Sequence, residues 1–371
     1  MPEPSPDSTP SRPSGWLLDA AQRRELVADS GVRPALYWAD LLLSAAAGWA
    51  LFVGACFFTP ADVIWWPLAG ACALIFLRAA YFIHELTHRS ERELPGFRAA
   101  WTLLIGVPIL VPSLMMWPHR DHHRVATYGT AADPEYAPVP QWNRSRILGA
   151  LALYAWVPLL LAIRWTVTPL VSHLHPRARK HAIEKFSTAD LYSGYVRPWP
   201  QGDEQRAFLK EELLCAAFAW TALGLTFAGV LPWWVHLHRW AIMAVALIVN
   251  HARLLVIHDY VGGPFDGAGQ TADTVTLGPN SPLTELVAPL GSRYHALHHE
   301  LPGVPYHDLG RLHRRLMEVL PADHAYRRTE SPGFFAAWRV LWAAAGRRGA
   351  DQPRSQATKS ASPSANSTAG A

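Results

Sequence analysis

Apolar residues in this chain come in long unbroken runs, not in the alternation of half-buried strands or the one-sided stripe of soluble helices. Ala35 to Phe58 and Val63 to Ile83 each supply the roughly 20 residues a helix needs to cross a hydrocarbon layer. Each run carries one charge, Asp40 or Arg78, near the end that faces the same side. The turn between them, Thr59 to Asp62, has no Lys or Arg, so the positive-inside rule places it outside and the N-terminus in the cytoplasm. A second pair runs from Leu213 to Leu231 and from about Trp240 to Ile257, again with a short connection. Two further apolar stretches, Trp101 to Trp117 and Ile147 to Val171, are shorter or interrupted by Pro158 and Pro169.

The flanks have a different composition. Residues 1–34 open with MPEPSPDSTPSRPSG and contain no apolar core for a signal peptide. Residues 346–371 are rich in Ser, Ala, Pro and Thr. Both are expected to be disordered tails around a membrane domain spanning 35–345.

Composition agrees with a membrane location. Half of the residues are hydrophobic and only 17% are charged, against about 25% in ordinary soluble domains, and the mean hydropathy is +0.05. A net charge of +4 would permit nucleic-acid binding, but the basic residues are scattered among apolar segments instead of forming a stripe, so a membrane surface explains them and nucleic acid is excluded. Trp65, Trp66, Trp233 and Trp234 fall at the two outside turns, where interfacial aromatic anchors belong. The cysteines, Cys56, Cys72 and Cys215, all lie in apolar stretches and suggest no disulfide framework or CxxC site. Any metal must then be held by histidine and carboxylate.

Histidine spacing changes the picture most. Of the 18 histidines, eight fall in three clusters: His84-Glu-Leu-Thr-His88, His119-Arg-Asp-His122-His123 and His295-Ala-Leu-His298-His299. On a helix, positions i and i+4 share a face, so His84 and His88 can aim two imidazoles at one ion. Neutral imidazole suits Fe, Zn and Cu, and eight rings exceed what one ion needs, so two metals are the natural count. If the clusters meet at one site, the chain between any two must cross the membrane an even number of times or not at all. The runs 101–117 and 147–171 are then re-entrant or interfacial, leaving four spans in two hairpins with all three clusters and both termini cytoplasmic. The more isolated His173, His175, His181, His236, His238 and His324 read as satisfied core or interfacial residues, and His307 and His313 as helix-cap or interfacial ones.

With these residues in place, the sequence resembles the membrane fatty acid desaturase family over roughly Tyr81 to Leu320. HELTH, HRDHH and HALHH stand as the three histidine boxes in the family's order, with RVATYGTAADPEY after the second and NSPLTELVAPLGSRYHALHHELPGVPYHDL around the third. The resemblance implies an all-α membrane protein with four transmembrane helices and a cytoplasmic cap holding two Fe ions, which uses O2 to oxidise an unactivated C–H bond of an acyl lipid. It also implies a ligand outside the boxes. Asn250-His-Ala-Arg253-Leu-Leu-Val-Ile-His258-Asp-Tyr260 resembles the family's Asn, Gln, any, Arg, Thr, then His-Arg-Tyr, which puts a ligand at His258 and at Asn250 a role through water or behind a ligand. The pattern departs at His251, Leu254 and Asp259, and His251 shares a helix face with His258 as an alternative ligand. Asp121, Asp133 and Glu135 are candidates for orienting ligand imidazoles through the second ring nitrogen.

Within this reading desaturation is favoured over hydroxylation or acetylenic bond formation, which the same metal site supports. The sequence contains no His-Pro-Gly-Gly segment like that of a fused cytochrome b5, so a separate donor of ferredoxin or cytochrome b5 type is expected. The rival reading is a zinc metallopeptidase, since His84-Glu85-Leu-Thr-His88 also satisfies HExxH with Glu85 as general base. It leaves the second and third clusters unexplained, as does a non-enzymatic membrane scaffold.

Overall fold

A computed structural model describes residues 16–189, 191–192, 194–278 and 281–351. A short helix α1 (Ala20–Val27) precedes a long hairpin of α2 (Pro34–Ala55) and α3 (Trp65–His88). The chain continues through α4 (Phe97–Trp101), the single turn α5 (His119–His122), the bent pair α6 (Arg144–Tyr154) and α7 (Val157–Thr166), then α8 (Thr168–Leu174) and α9 (Pro176–Lys185). A second long hairpin follows, α10 (Gly202–Phe227) and α11 (Trp234–Leu254). Four shorter helices, α12 (Gly267–Ala272), α13 (Pro282–Val287), α14 (His295–Glu300) and α15 (Tyr306–Val319), lead to α16 (Phe334–Asp351). Thr276–Leu277 and Glu330–Ser331 pair as a two-residue parallel sheet.

The first hairpin is held by small residues that let two backbones approach. Ala45, Gly48 and Ala55 of α2 face Ala69, Cys72 and Ala73 of α3 in one buried cluster. A side-chain carbon at Gly48 would lie 3.1 Å from the Phe76 ring. The two charges inside the hairpin neutralise each other: Arg78 forks onto Asp40 at 3.0 and 2.5 Å, and Tyr306 donates to the same carboxylate at 3.0 Å.

Helices α2 and α3 are long and apolar enough to cross a membrane, and α6 with α7, bent by 47°, would make a third candidate. The proline-interrupted run 147–171 is thus broken, with Pro158 in the first turn of α7, where its missing N–H costs nothing. The run 101–117 is not one helix either. It passes through a π-helical turn at Thr102–Gly106 and a 3-10 turn at Ser113–Met116, with Gly106 pressed against the Trp101 ring.

The second hairpin is more polar than the predicted pair of spans. Helix α10 starts at Gly202, not Leu213, because its charged positions have partners: Glu211 accepts from Ser113 Oγ at 2.5 Å and Leu114 N at 2.8 Å, and Glu212 from Arg179 at 2.5 Å and Arg164 at 3.3 Å. Helix α11 starts at Trp234, not Trp240, and takes in His238, whose ring nitrogens lie 2.9 Å from the carbonyls of Trp234 and Phe58.

Composition also misassigned parts of both tails. Helix α1 lies within 1–34, because Asp19 and Gln22 form a reciprocal cap and Leu18 and Leu26 bury against Leu297, Leu309 and Leu312. Helix α16 runs through Gly346 to Asp351. Residues 1–15 and 352–371 of the expected tails lie outside the described residues.

Candidate metal centre

Three unrelated segments bring their imidazoles to one place. The last turn of α3 carries His84 and His88 one turn apart; α5 and the residue after it carry His119, His122 and His123; α14 carries His295, His298 and His299. His258 arrives on the extended segment after α11, fixed by an antiparallel bridge to Thr274. The nine rings sort into two groups, His84, His88, His119, His123 and His298 in one and His122, His258, His295 and His299 in the other, with the facing nitrogens in each group within 4.8 Å of one another. The structure therefore brings together all eight box histidines and His258.

The donor set suits cations. Nε2–Nε2 distances are 2.9 Å for His119–His123, 3.0 Å for His123–His298, 2.9 Å for His258–His295 and 3.2 Å for His295–His299. Two nitrogens bound to one ion at about 2.1 Å and at right angles are about 3.0 Å apart. The Nε2 atoms of His84, His88 and His122 are buried with no hydrogen-bond partner among the described residues, a cost that a metal bond would remove. Burial, reinforced by neighbouring imidazoles, holds His123, His258, His295, His298 and His299 well below the ordinary histidine range, which keeps them in the neutral form that binds metal.

Carboxylates behind the rings set which nitrogen faces inward. Asp133 lies 2.9 Å from His122 Nδ1 and Glu135 2.6 Å from His119 Nδ1, so each carboxylate accepts the Nδ1 proton and presents Nε2 to the centre. Burial is the largest influence on His122 and lowers it, but the charge and hydrogen bond of Asp133, with the charges of Glu135 and Asp273, together outweigh it and lift the ring to about 8. The third candidate, Asp121, does not reach a ligand: it pairs with Arg124 at 2.8 Å and accepts from Tyr195 at 3.2 Å, because position 121 points away from 119 and 122 on the single-turn helix. Asn250 belongs to neither histidine group; its Oδ1 accepts from Arg253 Nη2 at 2.9 Å, and the residue lines the cavity onto which the groups face. His251 lies outside both groups, stacked on Tyr154 with ring centroids 3.8 Å apart.

Sequence reasoning missed four residues behind the ligands, Tyr128, Tyr136, Gln270 and Asp273. Tyr128 lies 2.8 Å from His258 Nδ1 and donates to Asp273 at 2.8 Å; Tyr136 donates to the same carboxylate at 3.0 Å. Gln270 Nε2 is 3.2 Å from His299 Nδ1 and holds the carbonyl of His122 at 3.3 Å, linking the second and third clusters. Tyr128 was readable as part of the TYG segment after the second cluster, whereas Gln270 and Asp273 sit in a stretch with no pattern of its own. Asp133→Ala or Tyr128→Phe should lower metal affinity about 10- to 100-fold, as loss of a ligand's orienting partner usually does. Metal titration monitored by bound-metal analysis checks this.

An apolar cavity opens onto the centre. Ile83, Ile109, Met115, Leu161, Met243 and Ala246 line it, and His84, His119, His258 and His295 form part of its wall. Glu85, by contrast, belongs to neither histidine group: it accepts from Tyr37 and lies 3.8 Å from Arg89 and 4.0 Å from His84 Nδ1.

The family model described as "Fatty acid desaturase" matches residues 63–331. This chain belongs to the fatty acid desaturase family. A curated "Ceramide hydroxylase" of Caulobacter vibrioides (strain NA1000 / CB15N) is 37% identical over 310 residues, covering 82% of this chain and 87% of that protein's length. The desaturase-family chain is accordingly an oxidoreductase and a membrane protein that modifies lipid. The metallopeptidase reading falls with it, since the Glu85 it would need as base is committed to Tyr37 and Arg89.

Proposed function

We propose that this desaturase-family enzyme is a di-iron hydroxylase that inserts one oxygen atom of O2 into a C–H bond of a ceramide-type lipid. The observation that carries the oxidase reading is the meeting of nine histidines, in groups of five and four, on the wall of an apolar cavity. The sequence alone favours desaturation; the similarity to a ceramide hydroxylase over most of both chains turns the reading to hydroxylation and supplies the substrate class.

Two iron ions, when bound, supply O2 activation strong enough to break an unactivated C–H bond. The chain's own residues do the rest. His84, His88, His119, His123 and His298 would hold one ion, and His122, His258, His295 and His299 the other. Asp133, Glu135 and Tyr128 keep His122, His119 and His258 in the tautomer that turns Nε2 inward. The apolar wall takes an acyl chain and excludes water from the reacting carbon. Electrons come from a separate protein of ferredoxin or cytochrome b5 type.

For topology, the proposal is multi-pass: α2, α3, α10 and α11 cross the membrane, and both termini and the histidines lie on the cytoplasmic side. Its support is the Lys/Arg-free turn Thr59 to Asp62 and the need of three clusters to share a face. Single cysteines at Thr130 and Ala61 should be labelled from opposite sides of sealed vesicles; labelling from the same side would overturn it.

The test of function is lipid mass spectrometry of a host expressing the intact protein beside His123→Ala, with iron measured on the purified proteins. A ceramide that gains one oxygen atom, made only by a protein carrying two irons, is the expected result. Loss of two hydrogens without gain of oxygen would make it a desaturase. A single zinc with Glu85-dependent peptide cleavage would overturn the oxidase reading altogether.

A further inference from the structure

Helix α11 carries two buried histidines that the metal centre does not use: His238, whose nitrogens meet two carbonyls, and His251. His251 is 3% exposed, and neither of its ring nitrogens has a hydrogen-bond partner among the described residues. Its position is fixed by stacking, with Tyr154 at 3.8 Å and 15° on one side and Tyr192 at 5.7 Å and 28°. Together with Tyr154 and Asn250 it lines the same cavity whose wall includes His84, His119, His258 and His295.

Leaving both nitrogens of a buried imidazole unmet costs stability. The cavity is otherwise mostly aliphatic where it passes Leu161, Met243 and Leu247, so a purely hydrocarbon chain would never meet those nitrogens. A neutral imidazole offers one donor and one acceptor. Its complement is a lipid group that also carries one of each, namely a secondary amide or a hydroxyl.

We propose that His251 is the specificity-determining residue of the cavity, hydrogen-bonding the amide or a hydroxyl of the lipid's base and so setting which carbon of the chain lies against the histidine groups. The inference deepens the hydroxylase reading and rests on it. Stacking on Tyr154 explains why the ring stays in place in the absence of substrate. Sites built to hydrogen-bond a substrate group reject analogues lacking it far more strongly than apolar pockets reject extra methylenes.

The test compares three lipids, a ceramide, its ester isostere without the amide N–H, and a ceramide lacking the base hydroxyls. It uses equilibrium binding to the metal-free protein and kcat/KM of the iron-loaded one. The wild-type protein should favour the ceramide over one of the two analogues by about tenfold or more, the scale of one unmet buried hydrogen bond. Rejection of the ester identifies the amide as the partner, and rejection of the deoxy lipid identifies a hydroxyl. His251→Phe, which keeps the stacking, should erase that discrimination and broaden the position of oxygen insertion, and His251→Gln, which keeps a donor and an acceptor, should recover part of it. Equal handling of all three lipids by the wild-type protein, or unchanged discrimination in His251→Phe, would overturn the inference while leaving the hydroxylase reading intact. No oxidised lipid from iron-loaded wild-type protein would overturn both.

Discussion

Alanine in place of any one of His88, His123 or His299 should abolish turnover, by more than about 10³-fold, beyond the 10- to 100-fold that loss of an orienting partner typically costs. Each change removes a nitrogen from a group whose facing atoms lie within 4.8 Å. Water can enter the gap, but it does not restore the geometry that the neighbouring rings impose. His123 should be the most severe, since its Nε2 contacts His119 at 2.9 Å and His298 at 3.0 Å, and so ties the second cluster to the third. Iron content and product formation, measured on the same preparations, check the expectation. A variant that keeps two irons and full turnover would remove that histidine from the ligand set.

The second large effect is a contrast between two histidines seven residues apart. His258→Ala should lose metal from the group it shares with His122, His295 and His299, whereas His251→Ala should keep both metals. The sequence could separate the two only through family resemblance, because both positions fall on one side of an ideal helix. In the structure α11 ends at Leu254, so His258 leaves the helix and turns toward His295, while His251 stays on it and stacks against Tyr154. Metal analysis of the two variants decides it: loss from His251→Ala with retention in His258→Ala would reverse the assignment.

Much of this protein is legible in its amino-acid sequence, for physical reasons that operate locally. A run of about 20 apolar residues has few stable arrangements other than a long helix in an apolar layer, and α2 and α3 follow the two strongest runs closely. Histidines spaced i, i+4 on a helix share a face whatever surrounds them, so the three clusters together pointed to metal binding from spacing. The order of the three clusters then carried the family.

What the sequence could not determine depends on partners distant in the chain. The apolar run begins at Leu213, yet α10 extends N-terminal of it, because Ser113, Arg164 and Arg179 come within reach to satisfy Glu211 and Glu212. Asp133 and Asp121 are equivalent on paper, two acids near the second cluster; the loop folds one onto His122 and leaves the other with Arg124. Gln270 and Asp273 carry no motif and Tyr128 only the family-like run after the second cluster, and only the return of the 258–277 segment onto the second and third clusters gives them a role. The chain by itself determined which residue types could bind metal and roughly which runs were apolar. Tertiary packing decided which imidazole faces which, which acid stands behind it, and which buried histidine was left over, because those are contacts between segments that sequence spacing does not relate.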